Sequence, residues 1–334
     1  MVNSNLPRET SISFYDPYPS GSMGSKLVSA VEWREKQRIW SCSLLCHAEG
    51  SNRILLEPDS PLSFRILNGR FCIGFYGLSA KIDGRDAPDS WREPNPCPNG
   101  AEIERGIRCR RCTLLDVARS CLLCIGEKCL ADPVTRQVCE EAVAYVYLAS
   151  FGAKSIKAGV SHENRIPKRW IEQGADIAKR VLVGNGREVR SFEKRIQDEL
   201  GVLRQVKTKE KVSFMGGSSD LALSIQLLNT LESKVHEKFP KKHHFHEEPW
   251  ILFPHYRVPH LDRRPLELRV REGLEVSGQV LGVKGPILLL KVGDSPFALD
   301  LNRLIGRRIA TEEVVQTKTQ AGLESFLFKP KVNR

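Results

Sequence analysis

The chain contains no apolar stretch long enough to cross a bilayer. Its longest purely aliphatic run near the C-terminus, Ile287-Leu288-Leu289-Leu290, stops at Lys291, far short of the roughly 20 residues a spanning helix needs. The opening residues, Met1 to Thr10, lack the apolar core of an export signal. No segment repeats, which argues against a solenoid, and no recognisable loop for a donor cofactor is present. These absences lead to the expectation of a soluble, cytoplasmic protein without membrane contact. They leave the oligomeric state open.

What is present is charge and cysteine. The 334 residues are 41% apolar, enough to bury a sizeable core and to divide into two or three domains. Lys and Arg number 51 against 40 Asp and Glu, for a net charge of +11. Between Phe151 and Lys211 fifteen basic residues face eight acidic ones, so +7 of the +11 sits there. Such an excess favours a polyanionic partner, nucleic acid above all, whether RNA or DNA.

Ten cysteines in a chain without an export signal read as metal ligands in a reducing cytosol rather than as disulfides. The clearest set is Cys109-x2-Cys112-x8-Cys121-x2-Cys124. Two tight Cys-x2-Cys turns across a short spacer let four thiolates converge on one tetrahedral zinc. An all-cysteine set leaves no open coordination position, so this Zn²⁺ is expected to be structural. Cys72, Cys97, Cys129 and Cys139 lie close by, and eight thiols suffice for two such sites, with Cys42 and Cys46 left over. Cys72 and Cys139 also read as ordinary buried thiols.

Pattern and composition divide the chain into an α+β arrangement. Residues 1–25 are rich in Ser, Pro and Gly and are expected to be loosely ordered, and 26–140 form a β-rich zinc-binding region. Residues 141–212 form a compact α/β module, 213–248 a linking helix with a polar loop, and 249–334 a barrel-like antiparallel β unit turning at Gly285-Pro286. Within the module, Val143–Ser150 and Ser155–Ser161 read as strands, Asn164–Arg180 as a helix, Val181–Val183 as a short strand, and Arg190–Leu200 as a second helix. The linking helix Ser219–Phe239 carries Leu221, Ile225, Leu228, Leu231 and Val235 on one face, with Ser218 or Ser219 as its cap. The tract Lys241-Lys-His-His-Phe-His246 reads as an exposed loop whose histidines bind metal only adventitiously.

The β-β-α-β-α order of the module resembles the GIY-YIG nuclease domain, although neither Gly-Ile-Tyr nor Tyr-Ile-Gly is literally present and a lysine replaces the second tyrosine. The resemblance implies that Tyr147 orients or activates the attacking water and that Lys157 stands in the second tyrosine's place. Arg169, or Arg165, would offset phosphate charge, and Glu193 would hold Mg²⁺ or Mn²⁺. Tyr145, Arg165, Lys168 and Gln173 would contact the nucleic acid.

A wider set of strings occurs in one order: Arg70-Phe-Cys-Ile-Gly74, Pro96-Cys97, the two Cys-x2-Cys pairs, Tyr145-Val-Tyr-Leu-Ala, Ile166-Pro-Lys-Arg-Trp-Ile-Glu-Gln-Gly-Ala175, and Gly278-Gln-Val-Leu-Gly-Val-Lys-Gly-Pro-Ile. Together they resemble the prokaryotic family known as domain of unknown function 2797. That resemblance implies zinc-type cysteines and a shared architecture, and supplies no reaction. The expected function is nucleic-acid binding with metal-dependent phosphodiester hydrolysis. A non-catalytic RNA- or tRNA-binding protein, an RNA-modifying enzyme and a zinc-stabilised protein scaffold are the alternatives.

Overall fold

The computed structural model describes residues 24–47, 53–78, 92–152, 155–215 and 220–311. Of the segment expected to be loosely ordered, residues 1–23 lie outside these, and Ser25 already belongs to the first strand.

Strands β1 (Ser25–Lys36) and β2 (Ile39–His47) form a hairpin through Gln37 and Arg38, both at positive φ, as a two-residue turn between right-twisted strands requires. Short β3 (Arg53–Leu55) and β4 (Pro61–Ile66) follow. On β4, Leu62, Phe64 and Ile66 alternate into the core. The hairpin β5 (Phe75–Leu78) and β6 (Arg92–Asn95) leads to three short helices, α1 (Arg110–Leu115), α2 (Ala118–Leu122) and α3 (Pro133–Glu141).

Next come β7 (Val143–Phe151), β8 (Ser155–His162), α4 (Lys168–Gln173), β9 (Ile177–Asn185), α5 (Gly186–Leu200), α6 (Thr208–Ser213) and α7 (Leu221–Lys238). The last described elements are β10 (Trp250–Ile251), β11 (Leu266–Leu268), β12 (Glu275–Lys284), β13 (Ile287–Val292), β14 (Ser295–Asp300) and β15 (Arg308–Ala310).

The first and last described strands share one sheet, ordered β11-β14-β13-β12-β4-β15-β1-β2-β3. The C-terminal strands therefore continue into β4 and β1 instead of forming a β unit of their own. The reason is edge satisfaction: β4 and β1 leave open hydrogen-bonding edges, and β12 and β15 fill them.

The second sheet, β10-β9-β7-β8, is antiparallel throughout. Its central strand β7 is covered on both faces. Tyr147, Ala149 and Phe151 join the core that holds Trp170 and Tyr256, while Val146 and Leu148 pack with residues of α5 and α7.

The helix expected over Asn164–Arg180 is six residues long. Gly174 terminates it in the left-handed conformation (φ 77°), and residues 177–185, including the stretch read as the end of that helix, form β9. Helix α5 starts earlier than expected because Asn185 and Glu188 form a capping box. Asp220 caps α7, its carboxylate accepting from Leu223 N at 3.0 Å; Ser218 and Ser219 lie outside the described residues.

The two sheets meet at a pair of glycines. A Cβ on Gly285 (φ 57°), in the β12–β13 turn, would lie 2.5 Å from Gly174 N, so neither residue tolerates a side chain. Trp33 Nε1 donates to Gly285 O (3.1 Å), and buried Lys284 pairs with buried Asp176 at 2.5 Å. The two family-like strings around Gly174 and Gly285 thus touch each other.

Candidate metal centre and polar cluster

Cys72, Cys97, Cys109 and Cys112 bring their four sulfurs within 4.8 Å of one another, and this group can hold a zinc ion. Three of the four are wholly buried. Cys109 N and Gly74 N donate to Cys72 Sγ (3.2 and 3.4 Å), and Cys112 N donates to Cys109 Sγ (3.5 Å). Backbone donors of this kind favour thiolate over thiol. Burial opposes ionisation of Cys109, yet donors from Cys112, Cys72 and Cys97 outweigh it and lower its pKa. Burial pushes Cys112 strongly upward.

This grouping corrects the expectation of one zinc on Cys109, Cys112, Cys121 and Cys124. Phe71 and Glu102 form an isolated antiparallel bridge and Cys72 N donates to Ala101 O (2.8 Å), returning Cys97 beside Cys72, and the pair meets the knuckle at the start of α1. The spacer is folded rather than open. Asp116 takes an ion pair from Arg108 (2.8 Å) and starts α2 by accepting from Ala118 N (2.9 Å), so the second knuckle is carried away from the first. Cys121 and Cys124 instead lie near Cys129 and Cys139. Cys139 is pushed up to about 11, by burial first, with Arg190 opposing and the other three thiols adding. Among the described residues, no three of this second set reach the 4.8 Å spacing of the first.

The polar residues expected at the catalytic positions come from β7, β8, α4 and α5. Gln173 joins two of them: its amide nitrogen donates to Tyr147 Oη (3.0 Å), and its amide oxygen accepts from Lys157 Nζ (3.1 Å). Arg169 and Glu193 lie close enough for their charges to act on Tyr147 and Lys157. Tyr147 is 1% exposed, so its hydroxyl addresses these neighbours and not solvent. It lies over Gly159, its cross-strand partner on β8, where a side chain would strike the ring.

Burial sets the electrostatics of the cluster. It raises the Tyr147 pKa, keeping the phenol protonated. It lowers Lys157 to about 8, with the charge of Arg169 acting in the same direction and Glu193 opposing. It raises Glu193, against Arg190, Lys157, a hydrogen bond from Gln197 (3.2 Å) and Arg169. A lysine partly neutral near pH 8 can accept a proton, and Arg169 can meet an anion.

The remaining expected residues sit around this cluster. Arg165 pairs with Glu172 at 2.6 Å, and Arg169 shares that carboxylate at 3.7 Å. Tyr145 belongs to a separate network: it donates to Glu163 (3.1 Å), and Arg180 lies over its ring at 4.7 Å. Lys168 is half-buried at the start of α4. Sequence reasoning missed Lys211, whose Nζ donates to Gln173 O at 2.6 Å and whose pKa falls to about 8 through burial and then the charge of Lys157. Nothing local in Thr208–Ser213 marks it.

No helix among the described residues is long and apolar enough to cross a membrane. No curated protein and no solved structure shows a significant match to the chain. The family described as protein of unknown function (DUF2797) matches residues 107–309, a span that holds the Cys109–Cys112 knuckle, the polar cluster and the glycine contact between the sheets. The match covers more than half of the chain, and the protein belongs to that family.

Proposed function

We propose that this is a zinc-stapled nucleic-acid-binding protein whose Lys157, Arg169 and Glu193, held by Tyr147 and Gln173, hydrolyse a phosphodiester with a divalent cation. One observation carries the reading: side chains from four separate elements converge on a single hydrogen-bonded and electrostatic cluster. In this reading Arg169 neutralises phosphate charge and Lys157 takes the proton of the attacking water. Glu193 is one carboxylate, which suits Mg²⁺ or Mn²⁺, ions held by one or two carboxylates together with substrate phosphate oxygens. Tyr147 is a positioning residue, because burial denies it to water. The basic excess around the cluster would supply the grip on the backbone.

The test is cleavage of mixed RNA and DNA with Mg²⁺ or Mn²⁺, comparing wild type with Glu193→Ala at matched zinc content and circular dichroism. Loss of a metal contact worth about 2–3 kcal/mol lowers the rate about 100-fold. Equal rates in the two proteins refute the assignment. Wild type that binds in a salt-sensitive way without cutting favours the second reading, a non-hydrolytic RNA-binding module, which the buried Tyr147 hydroxyl supports.

A further inference from the structure

The tract around His243, His244 and His246 reads in sequence as an exposed loop, yet two of its rings are engaged. His243 Nδ1 meets Val183 O (3.0 Å), His244 Nε2 meets Phe239 O (2.8 Å), and Phe245 N donates to Val181 O (3.0 Å), so the segment runs along β9. It brings two histidines to a third that lies far off in the pattern. His236, in the last turn of α7, stacks on His244 with ring centroids 4.1 Å apart and meets His246 edge-on at 4.5 Å. Ring nitrogens of all three lie within 4.8 Å of one another.

The hydrogen bonds fix which nitrogens are available. His236 Nε2 faces Val181 O (2.8 Å), as His244 Nε2 faces Phe239 O. A carbonyl oxygen only accepts, so both Nε2 atoms carry the proton and both Nδ1 atoms present bare lone pairs. Metal-binding histidines are commonly oriented in this way, one nitrogen donating to a carbonyl while the other ligates.

A carboxylate stands beside His246. Glu232, one turn before His236, is mostly buried; its Oε2 is held by Lys179 at 2.5 Å and its Oε1 lies 3.8 Å from His246 Nδ1. That Oε1 is buried and has no hydrogen-bond partner. A buried acceptor left unmatched is costly, and a cation would satisfy it.

We propose that His236, His244 and His246 bind one divalent transition-metal ion of the zinc class, with the Glu232 carboxylate supporting the site from beside His246, clasping the loop after α7 to the helix. Neutral imidazoles beside one carboxylate suit Zn²⁺, Co²⁺, Ni²⁺ or Cu²⁺ and not Mg²⁺. Two ligands about 2.1 Å from a tetrahedral ion stand about 3.4 Å apart, so nitrogens spread over up to 4.8 Å must draw together. The stacked His236 and His244 rings, 13° apart in plane, must also turn out of their stack for both lone pairs to meet one ion. His246, with 73% of its side chain exposed, is free to move. This site holds no sulfur, which separates it from the four-cysteine group by chemistry and spectrum.

The experiment uses the full chain, untagged and carrying one equivalent of Zn²⁺ on the four-cysteine group, with Co²⁺ as the probe in calorimetric and absorption titrations. Wild type is expected to bind one equivalent with visible d–d bands and no thiolate-to-cobalt charge transfer. His246→Ala and His244→Ala should each weaken this binding at least about tenfold, while His260→Ala, at an exposed position outside the cluster, leaves it unchanged. Because His246 is exposed, its variant should fold, and retained zinc with an unchanged dichroism spectrum verifies that. Absence of Co²⁺ binding in wild type overturns the proposal. So does a spectrum showing only thiolate ligation, or affinity unchanged in both cluster variants.

Discussion

Substituting Gly159 by alanine tests the cluster at its tightest point. The added methyl would meet the Tyr147 hydroxyl and lie 2.5 Å from its Cζ and 3.0 Å from Cε2, where ordinary carbon contacts are about 3.5–4.0 Å. The ring has little room to yield, being 1% exposed and set edge-on against buried Trp170 at 5.9 Å. Relieving the clash moves the ring by about 1 Å and costs about 1–3 kcal/mol as overpacking. Losing the Gln173 hydrogen bond adds about 1 kcal/mol. The expected destabilisation is therefore about 2–4 kcal/mol, read by equilibrium urea unfolding.

The sign is diagnostic. Gly159 does not adopt a positive φ, so without the clash the same substitution would stabilise the strand by about 0.5–1 kcal/mol. Repeating it on Tyr147→Leu, which removes the obstructing end of the ring, should make Gly159→Ala neutral or stabilising. A cost equal in both backgrounds to within about 0.5 kcal/mol refutes the packing argument.

Cys97→Ser and Cys72→Ser should each abolish metal binding at the four-cysteine group, whereas Cys124→Ser leaves it intact; the thiolate-to-cobalt charge-transfer band of the Co²⁺-substituted variants checks this, and an unchanged band in Cys97→Ser refutes the grouping. Lys157 titrates near pH 8 in the fold and near about 10.4 when unfolded, so between those values the unfolded chain holds a proton that the folded chain lacks. The folded state therefore bears a penalty that is complete below pH 8 and fades as pH rises. Lys157→Met should accordingly stabilise the protein relative to wild type most at pH 7–8 and progressively less towards pH 10; a pH-independent difference would remove burial as the cause. Lys284→Met leaves Asp176 buried without its partner and should cost about 3–5 kcal/mol in thermal or urea unfolding; a loss below about 1 kcal/mol contradicts the buried pair. Nucleic-acid binding through about four phosphates should weaken about 100-fold between about 50 and about 200 mM salt, and a flat response in a filter-binding assay eliminates backbone contact.

Much of this was legible where chemistry is local. The Cys109–Cys112 knuckle announces itself by spacing, but its partners do not, because Cys72 and Cys97 arrive through a return of the chain that no short pattern records. The strands β7 and β8 show in their β-branched and aromatic residues. The segment after Trp170 misleads: Ile177 and Ala178 fit a helical face, and the basic pair Lys179-Arg180 looks solvated. Yet Lys179 is buried against Glu232, and Gly174 ends the helix. Tertiary pairing with β7 decides that stretch, and periodicity does not see it. Lys211 and the Asp176–Lys284 pair were invisible for the same reason, since each is defined by what it meets across the fold.

The place of β15 bears on how the protein is made. Ser25 pairs with Ala310 near the middle of the large sheet, and Gly306 accepts from Phe71 N (2.7 Å) while donating to Val28 O (2.9 Å). During synthesis, β1 and β4 are translated early but stand apart until residues 308–310 leave the ribosome and slide between them. Until β12 and β15 are made, three strand edges stay open, both of β4 and one of β1, the circumstance in which chaperone capture and aggregation compete with folding. Closure of the sheet also pins residue 71, next to Cys72, so a stretch translated late helps finish the backbone around a thiol made early.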